Sequence, residues 1–222
     1  LEILFEDDDL VAVDKPAGIP VIPGRNGGES LRDRLEAERG AKIWVVHRLD
    51  AGTSGALVFA KNAAAHRALS LAFEGREVEK RYLAIVEGEP AGDELRIDVP
   101  LHAARKGRMR PARPDEADAK PSVTDVRVLE RLGSFSLVEA RPLTGRQHQI
   151  RVHLKSIGHS LAVDPAYGSR ERLELPGAKL ERTPLHAARL SLPHPKGGRR
   201  LVVEAPLATD LTTFLDALRK PE

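Results

Sequence analysis

The sequence predicts an α+β protein built on a mixed, largely antiparallel sheet. Strand-like runs outnumber helical ones, and few of them are joined by the strand, helix, strand crossovers that a doubly wound parallel sheet requires. With 41% hydrophobic and 31% charged residues over 222 positions, the chain also has the make-up of an ordinary globular protein with a sizeable core. One compact catalytic unit spanning residues 1–222 is the expected organisation, since no repeat and no long polar linker marks a boundary.

Residues 2 to 5 and 9 to 14 read as two short strands around the acidic turn Asp7-Asp8-Asp9, followed by a Pro/Gly-rich loop from Lys15 to Gly28. Ser30 can cap a helix with Asp33 three residues on, apolar Leu31 and Leu35 four apart, and Gly40 to end it. Ile43 to Val46 is a short strand candidate, and Gly55 to Ala60 is apolar enough for a buried strand. Asn62 can cap a second helix that carries Leu69 and Phe73 and closes at Gly75. Four further strands are expected at Arg81–Glu87, Leu95–Val99, Val123–Glu130 and Phe135–Ala140, with residues 102–121 as a long loop between them. Thr144 to Gln147 matches a capping box, opening a helix with Ile150, Leu154 and Ile157 on one face and Gly158 at its end. Strands at 186–192 and 200–204 and an amphipathic helix from Asp210 complete the chain.

Composition narrows the function classes. No run approaches the roughly 18 to 20 apolar residues of a membrane-spanning helix, so no membrane role is expected. Cysteine is absent, which rules out disulfides, thiolate metal sites and cysteine nucleophiles and suits a cytoplasmic location. The chain opens at Leu1 rather than Met, so a leader or further domain could have been trimmed. No Gly-x-Gly-x-x-Gly or phosphate-loop pattern is present, and Asp115-Glu116-Ala117-Asp118, though it spells a helicase signature, lacks the accompanying phosphate loop. No cofactor is expected. His148 and His153, five apart, suit no zinc spacing, so no metal is expected either, and a satisfied structural histidine or a backbone-orienting role is favoured over a ligand.

Net charge is only +2, but Arg105, Lys106, Arg108, Arg110 and Arg113 fall in nine residues containing no acid. Such a strip suits phosphate contacts, or is a solvated loop. Aromatics at 4% argue against a platform for base stacking, so any RNA bound would be held through phosphates and shape.

Three segments bring polar chemistry into apolar surroundings. In Val45-Val46-His47-Arg48-Leu49-Asp50-Ala51-Gly52-Thr53-Ser54-Gly55-Ala56-Leu57, two apolar runs flank a charged turn. Asp50 is therefore a candidate catalytic carboxylate, and an Arg48 to Asp50 ion pair across the turn is the structural alternative. Tyr82 opens an apolar strand, either to line a pocket or to sit in the core with its hydroxyl satisfied. Arg151, on the partly apolar helix after Thr144, wants an anion, and a guanidinium near Asp50 would hold that carboxylate ionised.

Taken in order, these segments resemble the RluA-type family of RNA pseudouridine synthases. The resemblance starts at Asp14-Lys15-Pro16-Ala17-Gly18 and runs through His47-Arg48-Leu49-Asp50 with Thr53-Ser54-Gly55, then Lys80-Arg81-Tyr82 and Thr144-Gly145-Arg146-Gln147-His148-Gln149-Ile150-Arg151. It closes with Gly158-His159, Asp164-Pro165-Ala166-Tyr167-Gly168, Leu185-His186-Ala187 and His194-Pro195, so nearly the whole chain is covered. Ser160 stands where the family usually has Pro and Val163 where it often has Gly, both in a loop beyond the chemistry.

The resemblance implies the pseudouridine synthase fold with a central RNA-binding cleft, and an isomerase that converts uridine to pseudouridine in a ribosomal or transfer RNA stem-loop. It implies Asp50 as the catalytic aspartate, Tyr82 as the active-site tyrosine, Arg151 as the arginine paired with that aspartate, and Arg48 as a residue entering the stack that the target base vacates. Thr53, Arg105, Lys106, Arg108, Arg110 and Arg146 are the further expected RNA contacts. Many relatives carry an S4 RNA-binding domain in front of this pattern. Here it begins within the first residues, so a single-domain member, or a trimmed chain, working as a monomer is expected. A non-catalytic RNA-binding or ribosome-assembly factor that kept the fold is the alternative, with an RNA glycosylase a third possibility.

Overall fold

A computed structural model describes residues 1–24 and 27–220. Arg25 and Asn26 of the expected Lys15–Gly28 loop lie outside the described residues. The chain runs through β1 (Glu2–Glu6), β2 (Leu10–Lys15), α1 (Leu31–Arg39), β3 (Trp44–Val45), β4 (Ser54–Ala60), α2 (Ala63–Glu74), β5 (Glu79–Glu87) and β6 (Glu94–Asp98). It continues through β7 (Leu101–Ala103), β8 (Met109–Pro111), β9 (Val123–Leu132), β10 (Phe135–Pro142), α3 (Gln149–Ser156), β11 (Leu173–Leu175), β12 (Ala178–Leu180), β13 (Leu185–Pro193), β14 (Arg200–Glu204) and α4 (Thr209–Arg219). These elements gather into two compact units, Leu1–Lys80 with His186–Ala208, and Arg81–Leu185 with the chain from Thr209.

In the first unit the strand order is β1, β2, β4, β13, with β14 paired to β13 and β3 to β4. All these pairings are antiparallel except β4 with β13, which run parallel. The acidic turn joining β1 to β2 is closed by Asp7, whose carboxylate accepts the Asp9 and Leu10 N–H groups at 2.9 and 3.1 Å. Strand β4 is buried along its whole length, as its unbroken apolar run requires. Ala12, Val58 and Ala60 pack with Ala65, Leu69 and Ala72 of α2 and with Leu190 and Val203. Both helices start where their caps predict. Ser30 accepts from the Asp33 N–H, Asn62 accepts from the Ala65 N–H at 2.9 Å, and Gly40 ends α1 in the left-handed region.

The second unit holds an antiparallel sheet ordered β5, β10, β9, β6. One face is a ladder of cross-strand ion pairs, with Arg141 at 2.8 Å and Arg96 at 3.4 Å from Asp125, and Arg127 at 3.4 Å from Glu139. The other is covered partly by α3, whose residues from Gln149 to Leu154 are all buried. At the start of α4, Arg182 grips Asp210 through two bonds of 2.7 and 2.8 Å, and Phe214 meets Phe135 edge to face.

Three departures from the sequence expectations have local causes. Helix α3 begins at Gln149, not at Thr144. The Thr144 hydroxyl accepts the Val123 N–H and donates to the Gln149 side chain, so Gln149 rather than Gln147 closes the box, and His148 takes up a left-handed turn at φ 53°. The expected loop 102–121 contains the β7–β8 hairpin, and residues 173–180 contain the β11–β12 hairpin, both too short for a period-2 pattern to show.

Gly55 is fixed by backbone approach. It sits at φ 109° opposite Ala187, and a Cβ there would lie 2.3 Å from the Ala187 carbonyl oxygen. We expect Gly55→Ala to destabilise the protein by about 3 kcal/mol or more, read as a lowered urea midpoint. An unchanged midpoint would show that β4 and β13 can separate at no cost.

Candidate active site

In the first unit the polar turn between β3 and β4 carries three of the expected site residues. Arg48 is exposed and Asp50 partly exposed, while Thr53 is buried at 2% exposure and closes the turn by donating its N–H to the Asp50 carbonyl at 3.0 Å. What holds this turn is Lys15. Its side chain is 0% exposed, and its ammonium donates to the carbonyls of Pro16, Ala51 and Thr53 at 2.8, 3.0 and 2.8 Å. A buried ammonium is costly unless it is hydrogen-bonded; here its donors fasten the end of β2 to the Asp50 turn at Ala51 and Thr53. Gly18 adds an N–H to the Ala51 carbonyl at 2.8 Å. Behind the turn, Ser54 contacts His186 Nδ1 at 2.9 Å, and His186 Nε2 faces the Ala205 carbonyl. The imidazole thus accepts from Ser54 and donates to Ala205.

His47 is part of the same support. Its Nε2 accepts the Val58 N–H at 3.1 Å and its ring stacks on Phe73 with centroids 4.5 Å apart, which places the ring proton on Nδ1. Burial, with the Lys80 charge adding to it, pushes its pKa down to about 3. His47 is therefore a neutral positioning group.

In the second unit Tyr82 lies on β5, nearly buried and in register with Ala140 of β10. Arg151 projects from α3 at 8% exposure and meets Asp164 side-on, with Nε to Oδ2 at 2.8 Å and Nη2 to Oδ1 at 2.7 Å. Asp164, 1% exposed, also accepts the N–H groups of Ala166 and Tyr167. Burial alone would raise its pKa, but Arg151 and these N–H groups hold it below the usual carboxylate range. The Arg151 guanidinium lies 4.9 Å from the centroid of the Tyr167 ring.

The basic strip forms the β7–β8 hairpin and its tip. Arg105, Lys106 and Arg108 are exposed there. Arg110 is differently placed, since its guanidinium is paired with Glu116, whose pKa falls to about 2 because of that pairing. Asp118 approaches His102 at 3.0 Å. The acids that look remote in the sequence are folded back along the hairpin. Arg146 reaches the Pro121 carbonyl with Nε at 3.3 Å. His153 is the satisfied structural histidine expected of it, bonded to Thr124 and to the Val99 carbonyl.

Lys15, Asp164 and Tyr167, all within the motifs quoted above, brace the candidate residues through contacts that no motif spacing announces. Among the described residues, Asp7, Asp9 and His194 lie close enough to share a metal ion. These donors are already engaged, Asp9 with Lys196 at 2.9 Å and Asp7 with His194 at 2.7 Å, so the cluster reads as an ion-pair network.

A mixed sheet of this strand order, with a polar turn fastened by a buried lysine, points to the class of RNA-modifying synthases. Residues 9–156 match the family described as RNA pseudouridylate synthase, and the chain belongs to that family. It is 39% identical over 230 residues to ribosomal large subunit pseudouridine synthase D of Nitrosomonas europaea, covering 99% of this chain and 65% of that protein. It is likewise 39% identical over 221 residues to ribosomal large subunit pseudouridine synthase C of Yersinia pestis, covering 98% of this chain and 69% of that protein. Among solved structures, human RNA pseudouridylate synthase domain containing 4 superposes with a TM-score of 0.79 at 26% identity, covering 98% of this chain and 93% of that one. The α+β fold and the family expected from the sequence are those found. No helix among the described residues is long and apolar enough to cross a membrane.

His47 carries a pH prediction. The free imidazole ionises near 6.5 and the folded one near 3, so between those values the unfolded chain binds the additional proton and falling pH favours unfolding. His47→Gln, which can still accept the Val58 N–H, should lose less stability than wild type between about pH 7 and about pH 4, measured as the change in urea midpoint. An equal change in both proteins would assign this acid sensitivity elsewhere.

Proposed function

We propose that this chain isomerises uridine to pseudouridine in ribosomal RNA, acting as a single catalytic domain and as a monomer in the cytoplasm. The observation that carries this reading is the Asp50 turn, which lies within the family match and is held by the buried Lys15. Relatives bearing ribosomal synthase names favour that RNA over transfer RNA, and favour catalysis over a non-catalytic binding role.

The reaction breaks the bond from ribose C1′ to uracil N1, turns the detached base, joins C5 to C1′ and releases the C5 proton. It is redox-neutral and adds no atom, so it calls for no cofactor. Positive charge grows at the sugar as the glycosidic bond breaks, and an anionic carboxylate there either bonds to it or stabilises it. Asp50 takes that part, with Tyr82 stacking on the uracil and Arg151 completing the catalytic set. Extruding the target base costs a few kcal/mol, and Arg48, exposed on the same turn as Asp50, would fill the gap it leaves. Arg105, Lys106, Arg108 and Arg146 are the proposed phosphate contacts. Thr53 and Arg110 serve the RNA surface by bracing the Asp50 turn and the hairpin.

Asp50→Asn should lower tritium release from C5-labelled uridine in RNA by at least roughly a thousandfold while leaving RNA binding intact. Undiminished turnover would reject the assignment. Reversing Arg105, Lys106 and Arg108 to Glu together should weaken RNA binding and make its salt dependence shallower by about 0.7 to 0.9 for each phosphate no longer neutralised. An unchanged slope, measured by fluorescence anisotropy, would remove the hairpin from the interface.

A further inference from the structure

Tyr167 connects two features of the second unit that are far apart in sequence. Its hydroxyl accepts the N–H of Met109, the first residue of β8, at 2.8 Å, and faces His148 Nδ1 at 2.7 Å. The phenol oxygen accepts from Met109, and a single proton, carried by the phenol or by Nδ1 according to the His148 tautomer, joins it to the imidazole. Its ring packs with Leu101 of β7 and Val152 of α3, with Met109 against them, and the Arg151 guanidinium lies over its face. Its backbone N–H is held by Asp164, the carboxylate that also grips Arg151. One side chain thus touches the hairpin that bears Arg105, Lys106 and Arg108, the first turn of α3, and Arg151. A second tie runs alongside, from the Gln147 side chain to the Gly107 carbonyl at the hairpin tip.

We infer that Tyr167 is a positioning residue for the isomerisation, setting the basic hairpin in register with the helix that carries Arg151, its hydroxyl governing how the hairpin meets RNA and its ring governing Arg151. The division follows from the geometry. A short hairpin beyond the main sheet has little core of its own, so a bond to its backbone fixes its approach to phosphates, whereas a ring face against a guanidinium acts on the orientation of that group. This rests on the function proposed above and adds a role for a residue outside the assigned catalytic set.

Steady-state kinetics on a ribosomal RNA stem-loop can separate the two contributions. Tyr167→Phe keeps the ring and loses the Met109 and His148 partners. It should raise KM for RNA, and the Kd from anisotropy, by roughly fivefold to tenfold with little change in kcat. Tyr167→Leu also removes the ring and should lower kcat by roughly threefold to tenfold in addition. A merely structural tyrosine would instead reduce the folded, active fraction, lowering kcat at unchanged KM in step with a lowered urea midpoint. That pattern overturns the inference, as does a Tyr167→Phe protein whose KM and Kd stay within twofold of wild type while the hairpin reversal variant binds weakly. A hairpin reversal without effect on Kd would overturn this inference alone, whereas a wild-type protein that binds RNA without isomerising uridine would overturn the functional reading itself and this inference with it.

Discussion

A charged amine removed from water is the constraint around which the Asp50 turn is organised. Lys15 ends β2 and is wholly enclosed, and its bonds to the Pro16, Ala51 and Thr53 carbonyls are what make that enclosure tolerable. Those carbonyls belong to irregular backbone, where sheet hydrogen bonds are not available to satisfy them. The ammonium therefore does locally what a strand neighbour does elsewhere, satisfying the carbonyls of the turn that presents Asp50.

The second unit solves the same problem with the opposite charge. Asp164 is an enclosed carboxylate whose oxygens are shared between the Arg151 fork and two backbone N–H groups. In both units a buried ion holds irregular chain in place through hydrogen bonds. Such ions add less to net stability than hydrophobic replacements of equal volume often would, yet they specify the position of the groups they bind.

The parts of the fold legible in the sequence are those whose cause is local. The Ser30 and Asn62 caps, the Gly40 stop, the buried run of β4 and the alternation of the later strands all depend on residues within a few positions of one another. What could not be read depends on partners distant in the chain. The carbonyls that bury Lys15 lie up to 38 residues away, and the N–H that Tyr167 accepts lies 58 residues away. A lysine at a strand end looks like a solvent-facing residue until those partners are known. The charge run at 105–113 shows a different limit, because Glu116 is only six residues from Arg110 but the fold, not the spacing, decides that they meet. Asp50, Tyr82 and Arg151 stood out as candidates through their polar chemistry in apolar surroundings, and their roles came from the family pattern.

The first unit is sewn from two stretches of chain, and its parallel pair, β4 with β13, joins residues near position 55 to residues near 187. During synthesis on the ribosome the Asp50 turn emerges first, and the Ala187 backbone against Gly55 and the His186 ring beside Ser54 follow it, His186 lying 132 residues after Ser54. A nascent chain halted before that strand lacks the wall behind its acidic group, so translation order itself postpones completion of the Asp50 turn until β13 has been made.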